Sequence, residues 1–196
     1  MDQPCLVAAG VPPDGGADLA IEVVMTDELS AEAMQELRRL FFSAFDDGFD
    51  ELDWAHGLGG HHVVVRDRTT GVIVGHASVV PREVLVGGKQ IHTGYVEAVS
   101  TLPTRQRQGI GRLVMAEVAR VLQGHFEMGA LATGVVDFYR RLGWEEWTGP
   151  ISAYDEEGVH PTPEEEGAVL VLRFGSSTDI ELSLPISAPA RPGDDW

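Results

Sequence analysis

The chain has 196 residues, with 14 Lys and Arg against 31 Asp and Glu, which gives a formal net charge of −17. This length suggests one domain, and a hydrophobic content of 43% is ordinary for a globular protein. A chain this acidic is unsuited to binding nucleic acid or an anionic membrane surface through bulk charge, so we expect neither partner. No apolar run is long enough to span a membrane. The field of the protein would instead attract cations.

The cysteine content and the N-terminus restrict the compartment and the metal chemistry. Cys5 is the single cysteine, which excludes an intramolecular disulfide and a cysteine-based metal site, and no His and carboxylate spacing resembles a zinc site. We therefore expect no metal. The N-terminus lacks the basic and apolar regions of a signal peptide, so we expect a cytoplasmic protein. Residues 1–18, rich in Gly, Pro and Asp, are predicted to form a flexible tail before a single domain over residues 19–196.

The first half of the chain is predicted to form a strand, a helix and three antiparallel strands. The β-branched run Leu19–Met25 indicates the first strand, and apolar residues spaced by three and four indicate an amphipathic helix over Ala31–Phe45. The acidic stretch 46–54 is either a loop or a short helix. The three strands that follow are His62–Arg66, Val72–Val80 and, after a glycine turn at Gly87 and Gly88, Gln90 to about Thr101.

The second half of the chain alternates helices with strands. Helical spacing predicts a helix over residues 110–122 and another over Val135–Leu142, which Gly143 ends. Residues 155–167 form an acidic, proline-containing insertion. The order β-α-β-β-β-α-β-α-β predicts an α/β fold with helices on a mixed sheet. The remaining predicted strands are Ala130–Thr133, Trp144–Trp147, Val169–Phe174 and one in the otherwise loop-like tail at Ile180–Leu184.

The loop before the long second helix has a pattern typical of an anion site. Residues 106–111 read Gln-Arg-Gln-Gly-Ile-Gly between a strand and a helix. The start of a helix leaves N–H donors unpaired and carries partial positive charge, and glycine lets the backbone approach a phosphate or pyrophosphate closely. The motif is neither a Walker A loop nor a dinucleotide fingerprint, and alone it equally describes a solvated glycine turn. Four arginines add local positive charge: Arg105, Arg107, Arg112 and Arg120.

This loop resembles the pyrophosphate loop, Gln-x-x-Gly-x-Gly, of the Gcn5-related N-acetyltransferase (GNAT) superfamily. Residues 138–144, Phe-Tyr-Arg-Arg-Leu-Gly-Trp, resemble a second segment of that superfamily, Phe-Tyr-x-x-x-Gly-Phe/Trp, in the expected order. The resemblance implies the GNAT fold, a mixed and mostly antiparallel central sheet flanked by helices, with acetyl coenzyme A as co-substrate. The coenzyme-binding residues it implies are Val99, Thr101, Gln106, Arg107, Gln108, Gly109, Ile110, Gly111 and Arg112.

Further segments resemble the aminoglycoside 2'-N-acetyltransferases within that superfamily. Residues 53–60, Asp-Trp-Ala-His-Gly-Leu-Gly-Gly, look like Asp-Trp-x-His-x-Leu-Gly-Gly of that group, and residues 94–99, Gly-Tyr-Val-Glu-Ala-Val, look like its Gly-Tyr-Val-Glu-Gly-Val strand. Residues 147–150, 162–167 and 193–196 match its Trp-x-Gly-Pro, Thr-Pro-x-x-x-Gly and Gly-Asp-x-Trp segments. The similarity spans roughly residues 20–196 and implies a cationic aminoglycoside acceptor and a homodimer. Three departures lie near the expected acceptor site: Ala98 in place of glycine, Glu164–Glu166 in place of mostly Asp, and Ala132–Gly134 in place of a serine-rich turn.

The resemblance also implies roles in a direct transfer from coenzyme to amine. Glu97 would be the base that takes the amine proton through water, and Tyr139 would protonate the leaving thiolate. From the residues alone, Glu97 equally fits a paired carboxylate in a strand, Tyr139 a core tyrosine, and the acidic runs solvated loops. The acceptor-binding residues implied are Asp53, Glu97, Ala98, Glu165, Asp194 and Trp196.

Three functional hypotheses follow. The first is an aminoglycoside 2'-N-acetyltransferase, as the resemblance implies. The second keeps the reaction but changes the acceptor to another small amine or amino sugar, such as kasugamycin or a cell-envelope metabolite, and is motivated by the departures at Ala98 and Ala132. The third is a protein of this fold that binds coenzyme A or an antibiotic without turnover, which the presence of Glu97 and Tyr139 disfavours.

Overall fold

The computed structural model describes residues 18–45 and 50–196. Most of the predicted tail over residues 1–18, with Cys5, lies outside the described residues, as does the acidic segment 46–49. Within the described ranges, no helix is both long and apolar enough to cross a bilayer. The α-helices are α1 (Ala31–Phe45), α2 (Glu51–His56), α3 (Ile110–His125) and α4 (Val136–Arg140). The strands are β1 (Leu19–Met25), β2 (His61–Asp67), β3 (Ile73–Val86), β4 (Lys89–Thr101), β5 (Met128–Ala132), β6 (Glu145–Glu146), β7 (Ile151–Asp155), β8 (Gly158–Pro161), β9 (Val169–Arg173) and β10 (Ile186–Pro189).

The strands form one mixed sheet in the order β6-β9-β5-β4-β3-β10-β7-β8, with β2 and then β1 also pairing alongside β3. Most pairs are antiparallel, whereas β4 with β5 and β10 with β7 are parallel. The long hairpin of β3 and β4 turns at Gly87 and Gly88, which have φ of +57° and +82°. Glycine adopts this left-handed backbone without steric cost, as the sequence predicted. The predicted α/β fold with a mostly antiparallel sheet is confirmed.

Helices pack on the sheet through apolar faces of helical period. In α3, the buried residues Ile110, Val114, Val118 and Leu122 recur every four positions and pack on the sheet. In α1, Leu37, Leu40 and Phe41 are buried in a second cluster with Ile73 of β3. Burial of these faces supplies most of the stability of such helices. The bounds of α1 and β1 are those predicted from the sequence.

Strand β4 positions the functional region through two irregularities. Its ladder with β3 shifts register where His76 pairs with Ser100 but Ser78 pairs with Glu97, which is a β-bulge. Its parallel ladder with β5 runs only as far as Tyr95, which pairs with Ala130. Beyond Tyr95 the two strands separate, so the edges of β4 and β5 enclose an opening in the sheet.

The tail differs from its prediction. The strand predicted at Ile180–Leu184 is wrong, because this segment turns, with the Leu184 N–H donating to the Glu181 carbonyl at 3.2 Å. The strand lies instead at Ile186–Pro189, between β3 and β7. Alternating apolar residues favoured the first segment, whereas the short β10 is stabilised by neighbours that the sequence does not reveal.

The second half also differs in detail. The unpredicted strand β7 forms a hairpin with β8 inside the supposed insertion. The helix predicted over Val135–Leu142 is shorter, at Val136–Arg140, and the strand predicted over Trp144–Trp147 reduces to Glu145–Glu146.

Candidate active site

A cavity of about 420 Å³ opens where β4 and β5 separate. We call it the acidic cavity. Its floor comes from Val96–Val99 of β4 and Leu131–Val135 at and after the end of β5. Tyr139 of α4 lies on its wall. The remaining lining residues come from α1, α2, the insertion and the C-terminal segment: Phe45, Asp53, His56, Glu165, Ala168, Arg191, Asp194 and Trp196.

All six residues predicted to bind the acceptor line this cavity: Asp53, Glu97, Ala98, Glu165, Asp194 and Trp196. They come from four local structures: α2, β4, the insertion and the C-terminal segment. Asp53 lies in the first turn of α2, where its Oδ2 accepts a hydrogen bond from the Asp50 N–H at 2.9 Å. Glu165 lies on a single 3-10 turn that Pro163 begins. Four carboxylates from distant parts of the chain therefore converge on one space.

Crowding of these carboxylates perturbs Glu165. Burial raises the pKa of Glu165, and the negative charges of Asp194, Glu164 and Asp195 raise it further. A carboxyl that is hard to ionise beside other carboxylates gains from a cation in the same space. The cavity is therefore chemically suited to a positively charged ligand.

Arg191 is a cavity residue that sequence reasoning missed. Its Nη1 donates to Oε1 of Glu97 at 2.7 Å, and its Nε donates to the Asp194 carbonyl at 2.7 Å. The side chains of Arg191 and Glu97 are only 15% and 17% exposed. Glu97 is thus a paired carboxylate, as one interpretation had it, and also a lining residue. Arg191 lies outside the matched segment 193–196, and its partner Glu97 is 94 residues away, so the sequence gives no local signal for this pair.

A second arginine fixes the C-terminal segment from below. The buried Arg82 donates to the carbonyls of Asp195, at 2.8 Å, and of Pro189. The guanidinium carbons of Arg82 and Arg191 lie 4.9 and 5.4 Å from the centroid of the Tyr95 ring, at cation–π distance. Burial and the neighbouring Arg191 lower the pKa of Arg82. The segment that carries Asp194 is therefore held by two arginines around one aromatic ring.

Trp196 reaches the cavity from the core. It is only 4% exposed, and its indole N–H donates to the Ser152 carbonyl at 3.1 Å. Its ring centroid lies 6.4 Å from that of Tyr95. Trp196 therefore forms a rigid part of the wall rather than an exposed stacking surface.

Tyr139 is at once a core residue and a lining residue. It is 5% exposed, and its ring packs edge-on against Phe138 and Trp144, with centroids 5.0 and 6.1 Å away. Burial raises the pKa of Tyr139 to about 12. The phenol is therefore protonated throughout the neutral range, as an acid must be.

The predicted pyrophosphate loop forms an open turn beside the cavity. Gly109 caps α3 with φ of +84°, and a Cβ placed on it would meet no heavy atom within 4 Å. No side chain caps the helix there, so its first N–H groups remain available to an anion. A Cβ on Gly111 would lie 3.5 Å from Phe138 and 3.7 Å from the Thr101 hydroxyl. The turn thus adjoins both the end of β4 and the residue before Tyr139.

The arginines near this turn divide into two kinds. Arg105 pairs with Asp67 at 2.7 Å, and Arg120 pairs with Glu117 at 2.6 Å. Arg120 also lies ten residues into α3, about 15 Å from its start at 1.5 Å per residue. Arg107 and Arg112 are exposed and have no ion-pair partner among the described residues. Of the four arginines expected to add positive charge near the turn, Arg120 therefore lies far from it, and Arg105 is already paired with a carboxylate.

Two glutamines expected to bind the coenzyme also lie beside this turn. Gln106 and Gln108 are exposed, and the Gln108 amide oxygen accepts from Arg105 Nε at 3.0 Å.

The sequence also carried an expectation about metals. Across residues 18–45 and 50–196, no group of three or more His, Cys, Asp or Glu side chains is arranged to hold a metal ion.

Comparison with known proteins agrees with this geometry. A family model described as an acetyltransferase (GNAT) domain matches residues 26–147. The aminoglycoside 2'-N-acetyltransferase of Mycolicibacterium fortuitum is 34% identical over 189 residues, which cover 94% of this chain and 96% of that protein.

Solved structures share the fold. The crystal structure of the GNAT family N-acetyltransferase YhbS from Escherichia coli in complex with CoA has a TM-score of 0.67 at 16% identity, over 91% of this chain and 93% of that one. A GNAT family acetyltransferase from Brucella melitensis in complex with acetyl-CoA has a TM-score of 0.55 at 20% identity, over 85% of this chain and 94% of that one. With a family model that matches more than half of the chain and a curated relative that matches nearly all of it, this protein belongs to the GNAT family of acetyltransferases.

Proposed function

We propose that this acetyltransferase moves the acetyl group of acetyl coenzyme A to the 2'-amine of an aminoglycoside, by direct transfer while both substrates are bound. The observation that carries the proposal is the acidic cavity, where four carboxylates meet beside Tyr139 at the gap between β4 and β5. The similarity to the aminoglycoside 2'-N-acetyltransferase of Mycolicibacterium fortuitum over nearly the whole chain supports this acceptor.

The cavity suits a polycation that carries hydroxyl groups. Among the lining residues that the structure describes, four carboxylates accompany the single guanidinium of Arg191: those of Asp53, Glu97, Glu165 and Asp194. Several ammonium groups on one rigid sugar can therefore each find a carboxylate. The net charge of −17 adds a long-range field that raises the local concentration of cations.

Glu97 is placed to accept the proton that the attacking amine must lose. Arg191 binds Oε1, which leaves Oε2 of Glu97 for water or for the acceptor. Because the side chain is largely shielded and held by a bidentate-capable partner, its orientation is fixed before the acceptor arrives. Glu97 would thus serve as the base, directly or through one water molecule.

The coenzyme would lie along the gap with its two ends on different parts of the protein. The open turn at Gly109, with exposed Arg107 and Arg112, fits a pyrophosphate. Acetyl coenzyme A supplies the activated acyl group. Backbone N–H groups of β4 around Val99 have no β5 partner and can orient a carbonyl oxygen, while the Tyr139 hydroxyl can donate to the departing sulfur.

A paired-substrate assay tests the acceptor. Kanamycin B and kanamycin A differ only at the 2' position, where the first has an amine and the second a hydroxyl. We expect acetyl-CoA-dependent thiol release with kanamycin B and little with kanamycin A, and a single acetyl group on the 2'-nitrogen of the product by mass spectrometry and NMR. Equal turnover of both, or acetylation at another amine, would refute the regioselectivity.

A second acceptor class is favoured by one observation. Ala98 and Ala132, the positions that depart from the aminoglycoside pattern, both line the cavity. Because both lie where an acceptor would bind, these departures favour another small amine or amino sugar as the preferred substrate. A panel of polyamines, kasugamycin and amino-sugar precursors, assayed by the same thiol release, separates the two: a higher kcat/KM for any of these than for kanamycin B supports the alternative.

A further inference from the structure

The bulge in β4 holds an alanine in a backbone conformation that alanine avoids. Ala98 and Val99 together face Ala77 of β3, because the register passes from Ser78 with Glu97 to His76 with Ser100. Ala98 has φ of +53°, in the left-handed region. A residue with a Cβ is strained there, so surrounding contacts must hold it.

Two side chains of β3 replace the ladder bonds that the bulge removes. His76 contacts the Ala98 carbonyl through Nδ1 at 3.3 Å, and the Ser78 hydroxyl donates to the Glu97 carbonyl at 3.4 Å. Two successive carbonyls of the bulge thus have partners on the facing strand. Buried carbonyls without partners would cost free energy, so these bonds offset the ladder bonds that the bulge removes.

His76 is itself the end of a buried chain of hydrogen bonds. Its Nε2 lies 2.9 Å from Nδ1 of His62, and Nε2 of His62 lies 2.9 Å from the Thr26 hydroxyl. The Gly59 N–H donates to that hydroxyl oxygen at 2.8 Å. His76 is fully buried and His62 nearly so. This chain of hydrogen bonds runs from Thr26, directly after β1, to Ala98 at the floor of the acidic cavity.

The partners fix where the protons lie. A carbonyl oxygen only accepts, so Nδ1 of His76 carries a proton, and in a neutral ring its Nε2 must then accept. His62 consequently donates through Nδ1, which leaves its Nε2 as an acceptor. The Thr26 hydroxyl has two acceptors within reach, this Nε2 at 2.9 Å and the Gly60 carbonyl at 3.1 Å. Burial lowers the pKa of His62 to about 4 and that of His76 to about 3, which agrees with two neutral rings. The bond from His62 to His76 and the bond from His76 to Ala98 therefore both point toward the Ala98 carbonyl.

We propose that His62 and His76 are positioning residues that hold Ala98 in its bulge and thereby set the Glu97 carboxylate and the N–H groups of β4 in the cavity. This inference rests on the proposed function of Glu97 and β4, but not on the identity of the acceptor. Neither histidine lines the cavity, so each acts through the backbone of residues 97–99.

The tautomers provide a test that needs no substrate. In ¹⁵N-histidine-labelled protein, we expect the rings of His62 and His76 to be neutral, with the proton on Nδ1, at pH 6 to 8. Assignment uses the loss of one signal set in His62→Asn and His76→Asn. An Nε2–H tautomer or a charged ring at His76 would overturn the proposal even if every assumption about the acceptor were correct.

A double-substitution cycle tests the consequence for catalysis. We expect His76→Phe, which removes the donor, to lower kcat about tenfold with little change in KM for acetyl-CoA. The strain of an alanine in the left-handed conformation is about the free energy that changes a rate tenfold. His76→Asn retains an N–H where Nδ1 was and should recover most of the rate. In an Ala98→Gly background the same His76→Phe substitution should cost less than about twofold, because glycine tolerates this backbone unaided.

Stability measurements complete the cycle. Val84→Ala, a buried position at the far end of β3, serves as a control that lowers the melting temperature without the loss of kcat. An equal loss of rate from His76→Phe with and without Ala98→Gly would overturn the proposal, and so would failure of His76→Phe to fold in both backgrounds. Folding only in the Ala98→Gly background would support it. If no acceptor is turned over, the same cycle read as melting temperatures still decides the positioning role, while the proposed function fails separately.

Discussion

Replacement of Tyr139 by phenylalanine separates the proposed catalytic role of its hydroxyl from the packing of its ring. The ring is 5% exposed among Phe138 and Trp144, and its hydroxyl has no hydrogen bond to the described residues. Tyr139→Phe therefore removes no protein partner and should shift the melting temperature by less than about 2 °C. The raised pKa of about 12 corresponds to roughly 3 kcal/mol in favour of the neutral phenol. A thiolate formed in the same apolar surroundings is destabilised by the same burial, so a hydrogen bond from this phenol stabilises it.

The expected cost of Tyr139→Phe is a fall in kcat of about a hundredfold or more, the usual contribution of a positioned acid. Thiol release at saturating acetyl-CoA and acceptor measures it, and calorimetry should show coenzyme affinity within about threefold of the parent. Tyr154→Phe is the matched control, since the Tyr154 hydroxyl donates to the Glu83 carbonyl at 2.8 Å, away from the cavity. It should lower stability by about 1 kcal/mol and leave kcat unchanged. A kcat for Tyr139→Phe within about threefold of the parent would refute the reasoning.

Three further outcomes are expected. Gly109→Asp should raise the KM for acetyl-CoA about tenfold or more, because it places a carboxylate in the open space of the turn. The control Gly124→Asp, near the other end of α3, should leave this KM unchanged. Equal KM values for the two variants would contradict the turn as a pyrophosphate site. Because the pKa of Glu165 is raised, this residue loses its charge at a higher pH than an ordinary Glu does. The KM for the acceptor should therefore rise as the pH falls from 7 to 5, and Glu165→Gln should flatten that rise. Parallel pH profiles of the parent and the variant would exclude Glu165 from acceptor binding. Gly149→Ala should lower the melting temperature by about 5 °C or more, since its Cβ would lie 2.1 Å from the Leu184 carbonyl oxygen. The control Gly124→Ala should not lower it. An unchanged melting temperature for Gly149→Ala in thermal unfolding would contradict this close approach.

Local physics was sufficient for the elements whose own sequence determines them. The period of three and four in Ala31–Phe45 specifies α1, and the paired glycines at 87 and 88 specify the turn between β3 and β4. It was insufficient for β7 and β10, which are short and depend on each other and on β3 for their pairing. The four-residue β10 even includes Pro189, which local rules count against a strand.

The site shows the same division. The turn at Gly109 follows from glycine conformation and from unpaired N–H groups at a helix start, so residue patterns alone fit an anion site and a solvated turn equally, and the resemblance to a known family favoured the anion site. The convergence of Asp53, Glu165 and Asp194 depends on the tertiary fold, and only the resemblance to a known family brought them together in advance. Arg191 was missed because an ion pair across 94 residues with Glu97 leaves no local pattern.

The left-handed conformation of Ala98 gives a physical reason for the glycine that the resemblance suggests at this position. At the level of sequence, alanine in place of glycine at position 98 is a change near the expected acceptor site. The structure adds that it is a change in backbone strain, which a side chain of β3 then has to offset.

Because the acidic cavity is built from remote parts of the chain, a ligand bound in it stabilises the folded protein. Asp53 on α2 and Asp194 beyond β10 meet only when the whole sheet is assembled. A multivalent cation that bridges them binds the native state alone, and at a hundred times its dissociation constant it would add about 2.7 kcal/mol to the cost of unfolding. Proteases that attack opened molecules would then find fewer of them, so a cation bound in this cavity would prolong the lifetime of the protein.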